Sequence, residues 1–111
     1  MERAVYTNPQ KRTASDTLDL RRAAGRWLKE RREACGLSQR QLADMVGTEY
    51  YTFISQLETG RGRIPPDRYK TWAKALGMDA RDFVITLLPF YDPMTYEILF
   101  LDSSEGERAA V

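Results

Sequence analysis

Histidine is absent from this chain of 111 residues, and cysteine occurs once, as Cys35. Without imidazole there is no Ser/His or Cys/His nucleophile pair and no His-containing zinc site. One thiol builds neither a disulfide framework nor a site of four thiolates, and it suits a reducing compartment. No apolar run approaches the ~20 residues that span a bilayer, and Met1 to Asp16 lacks the apolar stretch of a signal peptide. These absences predict a cytoplasmic protein that is not an enzyme and carries no cofactor or metal. Net charge is scarce too, at +1 from 17 basic and 16 acidic residues. Position matters more than the total. Residues 1–63 hold 12 basic and 8 acidic side chains, and residues 64–111 hold 5 and 8. The excess hints at an anionic partner for the first part only.

What is present is helical periodicity. Residues 1–17 read as a flexible basic arm containing Arg3, Lys11 and Arg12, which can follow a groove or backbone. Leu20, Ala24, Trp27, Leu28 and Cys35 then recur at helical spacing over about 18–35. Cys35 on that stripe is expected to be an inert buried thiol. Arg21, Arg22, Arg26 and Lys29 read as a solvated face. Gly36 supplies a left-handed cap. Ser38 with Gln41 forms a capping-box pattern, flanked by Leu37 and Leu42 in staple positions, so the second helix is expected over 39–46, ending at Gly47. A third is expected over 50–58 with Phe53, Ile54 and Leu57 inward. A loop through Pro65 and Pro66 leads to a fourth over 66–76, burying Trp72. A fifth begins after Asp79 and ends near Pro89. Asp92-Pro93 opens a last segment over 93–101, where helix is preferred and strand stays open. Trp27 and Trp72 are expected in the core.

Two short helices across a glycine turn, after a longer helix, make a helix-turn-helix arrangement. The residues Leu37-Ser38-Gln39, Gln41-Leu42-Ala43, Gly47, Ile54-Ser55, Leu57-Glu58, Gly60 and Ala73-Lys74-Ala75-Leu76-Gly77 carry a more specific likeness. The chain resembles the lambda-repressor-like, Xre/Cro-type family of DNA-binding domains over residues 18–88, and 89–111 form a C-terminal extension. The resemblance implies an all-α, five-helix domain whose second helix supports backbone contact and whose third reads sequence in the major groove. One departure is visible. Gly47 and Ile54 are seven positions apart, where six is usual, so the helix-3 cap falls at Thr48 by chemistry or Tyr50 by carry-over.

Carried over by position, Gln39 and Arg40 lie at the start of helix 2, and Gln39 meets phosphate or a base edge. Tyr50, Tyr51, Thr52, Ser55 and Gln56 belong to the reading helix, with Gln56 placed to pair with adenine. Arg61 and Arg63 follow it and can grip the sugar-phosphate backbone. Plainer roles stand beside these: a helix-start residue for Gln39, a partly core position for Tyr50 or Tyr51, solvated charges for the two arginines. Arg32 and Glu58 match a pair that bridges helix 1 to helix 3, and are read as structural. The apolar extension either packs on its own domain or meets a second subunit. The resemblance, to a family whose members commonly bind as symmetric dimers, implies a homodimer on palindromic double-stranded DNA, acting as a nucleoid-associated repressor. The rivals are an antitoxin whose extension binds a toxin partner, and an interaction module without DNA binding, favoured by the low charge and Glu49.

Overall fold

Six helices and no strand make up residues 14–102, the part of the chain that the computed structural model describes. Helix α1, Ala14–Ala34, begins four residues earlier than expected, with Asp16 in its first turn where the dipole favours a negative charge. Residues 14–17 are therefore helical and not part of an arm. The rest of that arm, with Arg3, Lys11 and Arg12, and the tail over 103–111 lie outside the described residues.

Helix α2, Gln39–Val46, matches its expected bounds because the capping box forms in full. Ser38 Oγ accepts from the Gln41 N–H at 3.0 Å, and Gln41 Oε1 accepts from the Ser38 N–H at 2.8 Å. Helix α3, Thr52–Glu58, starts two residues later than expected. Neither Thr48 nor Tyr50 is its cap. Tyr51 takes that position with helical dihedrals and no side-chain cap bond. The carbonyls of Tyr50 and Tyr51 accept from Phe53 and Ile54 at 3.1 and 3.0 Å, so the chain enters α3 through a tight turn of the 3₁₀ kind. Tyr50 and Tyr51 are 68% and 42% exposed, which removes both from the core.

The fourth helix begins with a 3₁₀ turn, Pro66–Arg68, and continues as α4, Tyr69–Ala75. Helix α5, Ala80–Tyr91, is capped by Asp79, whose carboxylate accepts from Arg81 and Asp82. It runs through Pro89 instead of stopping there. Proline costs one helical bond, but burial of Leu87 and Tyr91 holds the last turn against the core. Asp92 then caps α6, Pro93–Tyr96, which passes into a π-helical segment, Glu97–Leu101. The extension is thus helical, and it turns by 118° from α5. An open groove of about 210 Å³ lies at that corner, lined among others by Leu20, Arg21, Phe90, Tyr91 and Met94.

Trp72, Phe83, Leu28, Leu42, Ile54, Leu57, Ile64, Leu76 and Leu87 are fully buried and form the centre. Burial of each such side chain contributes about 1.5–3 kcal/mol. Trp27 is half-buried, its ring 5.9 Å from that of Phe83. Cys35 is exposed, contrary to expectation: it lies just past the end of α1, where the apolar stripe leaves the core, and its thiol donates to the Leu76 carbonyl at 3.3 Å.

The α1–α3 contact is made backbone to backbone. A Cβ on Gly25 would lie 2.4 Å from the Glu58 carbonyl oxygen and 2.6 Å from that of Leu57. A Cβ on Gly60 would meet the Arg22 backbone at 2.9–3.0 Å, and φ of +86° there already requires glycine. No single helix among the described residues is long and apolar enough to cross a membrane.

Candidate nucleic-acid interface

A buried ion pair fixes α3 against the rest of the domain. Arg32 Nε donates to Glu58 Oε2 at 2.6 Å and Nη2 to Oε1 at 3.1 Å, while Nη1 reaches the Leu37 carbonyl at 2.7 Å. The two side chains are 8% and 4% exposed. Donating to the Glu58 carboxylate raises the Arg32 pKa above its ordinary value, with burial opposing, so the guanidinium stays charged. Gln39 joins this network, its Nε2 donating to Glu58 Oε1 at 3.0 Å. The amide of Gln39 therefore faces the ion pair and ties the start of α2 to the end of α3.

With Ile54, Leu57 and Glu58 turned inward, α3 presents Thr52 and Gln56 to solvent and leaves Ser55 half-buried. Tyr50 and Tyr51 extend this exposed strip toward the turn. Arg40 reaches across from α2, its guanidinium carbon 4.5 Å from the centre of the Tyr51 ring. Arg61 is exposed at the other end, and its backbone N–H donates to the Gln56 carbonyl at 2.8 Å. The strip is polar and aromatic, flanked by a cation at each end. Glutamine and threonine there can hydrogen-bond base edges, and arginine can meet phosphate or guanine.

Arg63 stands apart from this strip. Its Nη1 donates to the Tyr91 carbonyl at 3.2 Å, its Nη2 to the Tyr69 hydroxyl at 3.1 Å, and its guanidinium carbon lies 4.5 Å from the centre of the Tyr91 ring. Arg21 sits 5.7 Å from the same ring centre. The Tyr91 hydroxyl accepts from the buried Ile64 N–H at 3.2 Å, and burial pushes the Tyr91 pKa up. The loop after α3 is thus fastened to the end of α5. Sequence reasoning did not find Tyr91 or Tyr69 in this role, because partners 28 and 6 positions away leave no periodic signal.

Arg31 and Arg68 are engaged as well. Arg31 donates to the carbonyls of Leu76 and Gly77 at 2.8 and 3.1 Å, and Arg68 donates to that of Val46, each at the end of a helix where cations are favoured. Among the described residues, no group of three or more His, Cys, Asp or Glu side chains converges on a metal-sized site.

A family model described as helix-turn-helix matches residues 28–83, half of the chain, spanning most of α1 through the start of α5. None of the curated proteins matches.

Proposed function

The chain belongs to the Xre, lambda-repressor-like family of helix-turn-helix DNA-binding regulators, and from that premise we propose that it is a homodimeric repressor reading the major groove with α3. The observation that carries the reading is the exposed strip of Tyr51, Thr52 and Gln56, uncovered on a helix whose other face is buried and locked by Arg32–Glu58. Gln56 recognises adenine through its amide, and Arg61 meets the sugar-phosphate backbone. Ser55 and Tyr50 line the edges of the same surface. Gln39 acts through the Glu58 network, and Arg63 sets the course of the loop that carries Arg61.

The dimer reading rests on the extension. Ile98, Leu99, Phe100 and Leu101 are all exposed, an apolar end beside the groove at the α5–α6 corner. A second copy covering it would make the protein twofold and match a palindromic operator with half-sites about one DNA turn apart. Selection of binding sites from random DNA, followed by mobility shifts at two salt concentrations, tests the whole reading. A palindromic consensus bound by two chains is the expected result. No binding at low salt overturns DNA recognition in favour of an interaction module. A half-site bound by one chain overturns the dimer and turns attention to a toxin on the extension.

A further inference from the structure

We infer that Arg40, held on the face of Tyr51, is a specificity-determining residue that selects a guanine at the operator position facing the α2–α3 junction. The inference rests on the DNA-reading role of α3 and names one base that it reads. Arg40 belongs to α2 by sequence, yet its guanidinium carbon lies 4.5 Å from the Tyr51 ring centre, at the mouth of α3. The first residues of a reading helix are the ones that approach base edges. The stack thus carries a cation from the supporting helix to the place where bases are met.

Its place at the mouth of α3 and its unengaged N–H groups favour a base edge as its target. The guanidinium carbon lies over the Tyr51 ring, and among the described residues no hydrogen bond or ion pair uses the guanidinium N–H groups. The planar fork matches guanine O6 and N7, the commonest specific contact of arginine with DNA. The mouth of α3 has no side-chain cap, and the stack joins its Tyr51 to α2. Arg61, by contrast, leaves the far end of α3, and among the described residues it stacks on no aromatic ring.

The test uses the full chain, site selection from random DNA and the salt dependence of binding, with thermal melting to confirm folding. Arg40→Lys keeps the charge but loses the fork. It is expected to lower the preference for guanine at one position of each half-site about tenfold or more, with the salt slope unchanged. Tyr51→Phe keeps the ring and is expected to retain the preference, whereas Tyr51→Ala is expected to lose it together with Arg40→Lys. Two results overturn the proposal: unaltered base preference in Arg40→Lys, or a uniform loss on all sequences in Arg40→Ala accompanied by a shallower salt slope, which assigns Arg40 to phosphate. Failure of the unaltered protein to select any sequence sinks the DNA-reading role itself, and is distinguishable because it precedes every variant.

Discussion

Replacing Gly25 by alanine is the most direct test of how α1 and α3 meet. Gly25 sits mid-helix, where alanine improves helix propensity by about 1 kcal/mol, so sequence alone favours the change. The geometry opposes it. The new methyl would lie 2.4 Å from the Glu58 carbonyl oxygen and 2.6 Å from the Glu58 and Leu57 carbonyl groups, all backbone atoms that no rotamer change removes. Ordinary contact distances are about 3.5 Å, so the helices must part by roughly 1 Å. Ala24, Leu28, Ile54 and Leu57 are buried in the same core, and a gap of that size weakens their packing. Overpacking of this kind costs about 1–3 kcal/mol. Because the clash is with two carbonyls at once, the upper end applies, and the net loss after the helix gain is about 2 kcal/mol. In a domain of this size that lowers the melting temperature by roughly 10 °C. Gly62→Ala is the control, since its added Cβ would find only Leu57 Cδ2 at 3.8 Å. It is expected to change stability by less than about 1 kcal/mol. A Gly25→Ala protein that melts at or above the unaltered one would refute backbone contact between α1 and α3.

Three further outcomes follow from the interior and the exposed strip. Arg32→Ala leaves Glu58 buried without its cation and is expected to cost about 3–5 kcal/mol, read by urea unfolding, while Arg32→Met with Glu58→Leu recovers most of it; a loss below about 1 kcal/mol for the single variant contradicts a tightly buried pair. Burial raises the Tyr91 pKa, so the folded state favours the neutral phenol; its stabilising effect is present below the free tyrosine value and is lost as pH rises through the higher folded value. Denaturation midpoints taken from about pH 8 to 11 should therefore fall at the alkaline end. Tyr91→Phe should flatten that fall and cost about 1–2 kcal/mol at neutral pH, because the buried Ile64 N–H loses its acceptor; an unchanged alkaline profile counts against the assignment. On DNA, Gln56→Ala is expected to reduce discrimination between specific and random sequence, and Arg61→Ala to weaken both and flatten the salt dependence. Equal loss on both DNAs for Gln56→Ala removes Gln56 from the readers.

The elements legible in the sequence are those fixed by local chemistry. The bounds of α2 followed from Ser38, Gln41 and Gly47, because a capping box is a short-range device. Arg32 and Glu58 were legible through family likeness and meet in the interior. Less legible was the start of α3, where the extra residue in the turn moves the cap to Tyr51, a residue type with no cap preference. Pro89 misled in the same way: a local rule stops a helix there, and buried Tyr91 carries it onward. The close approach at Gly25 and the fastening of Arg63 to Tyr91 both depend on partners far along the chain. Neither hydrophobic period nor turn chemistry encodes them. The exposed strip itself was foreseeable residue by residue, but the stack of Arg40 on Tyr51 was not.

The distribution of arginine side chains changes what the charge count means. The first 63 residues carry an excess of basic groups, yet Arg31, Arg32 and Arg63 in that stretch hold carbonyls, a carboxylate or a ring within the fold, and Arg68 beyond it does likewise. Arg22 lies 3.9 Å from Asp19. Among the described residues an excess on paper is therefore not a basic face, and the cations bordering α3 reduce to Arg40 and Arg61. Non-specific affinity grows with each phosphate neutralised, so on the proposed reading a surface with so few unengaged cations beside α3 is expected to bind random DNA weakly. On that reading, discrimination would then fall on the directional groups of the strip: the amide of Gln56, the hydroxyl of Thr52 and the fork of Arg40. The near-neutral composition, which argued against a nucleic-acid partner, is on this view what allows a small domain to leave wrong sequences quickly and rely on a few well-placed contacts.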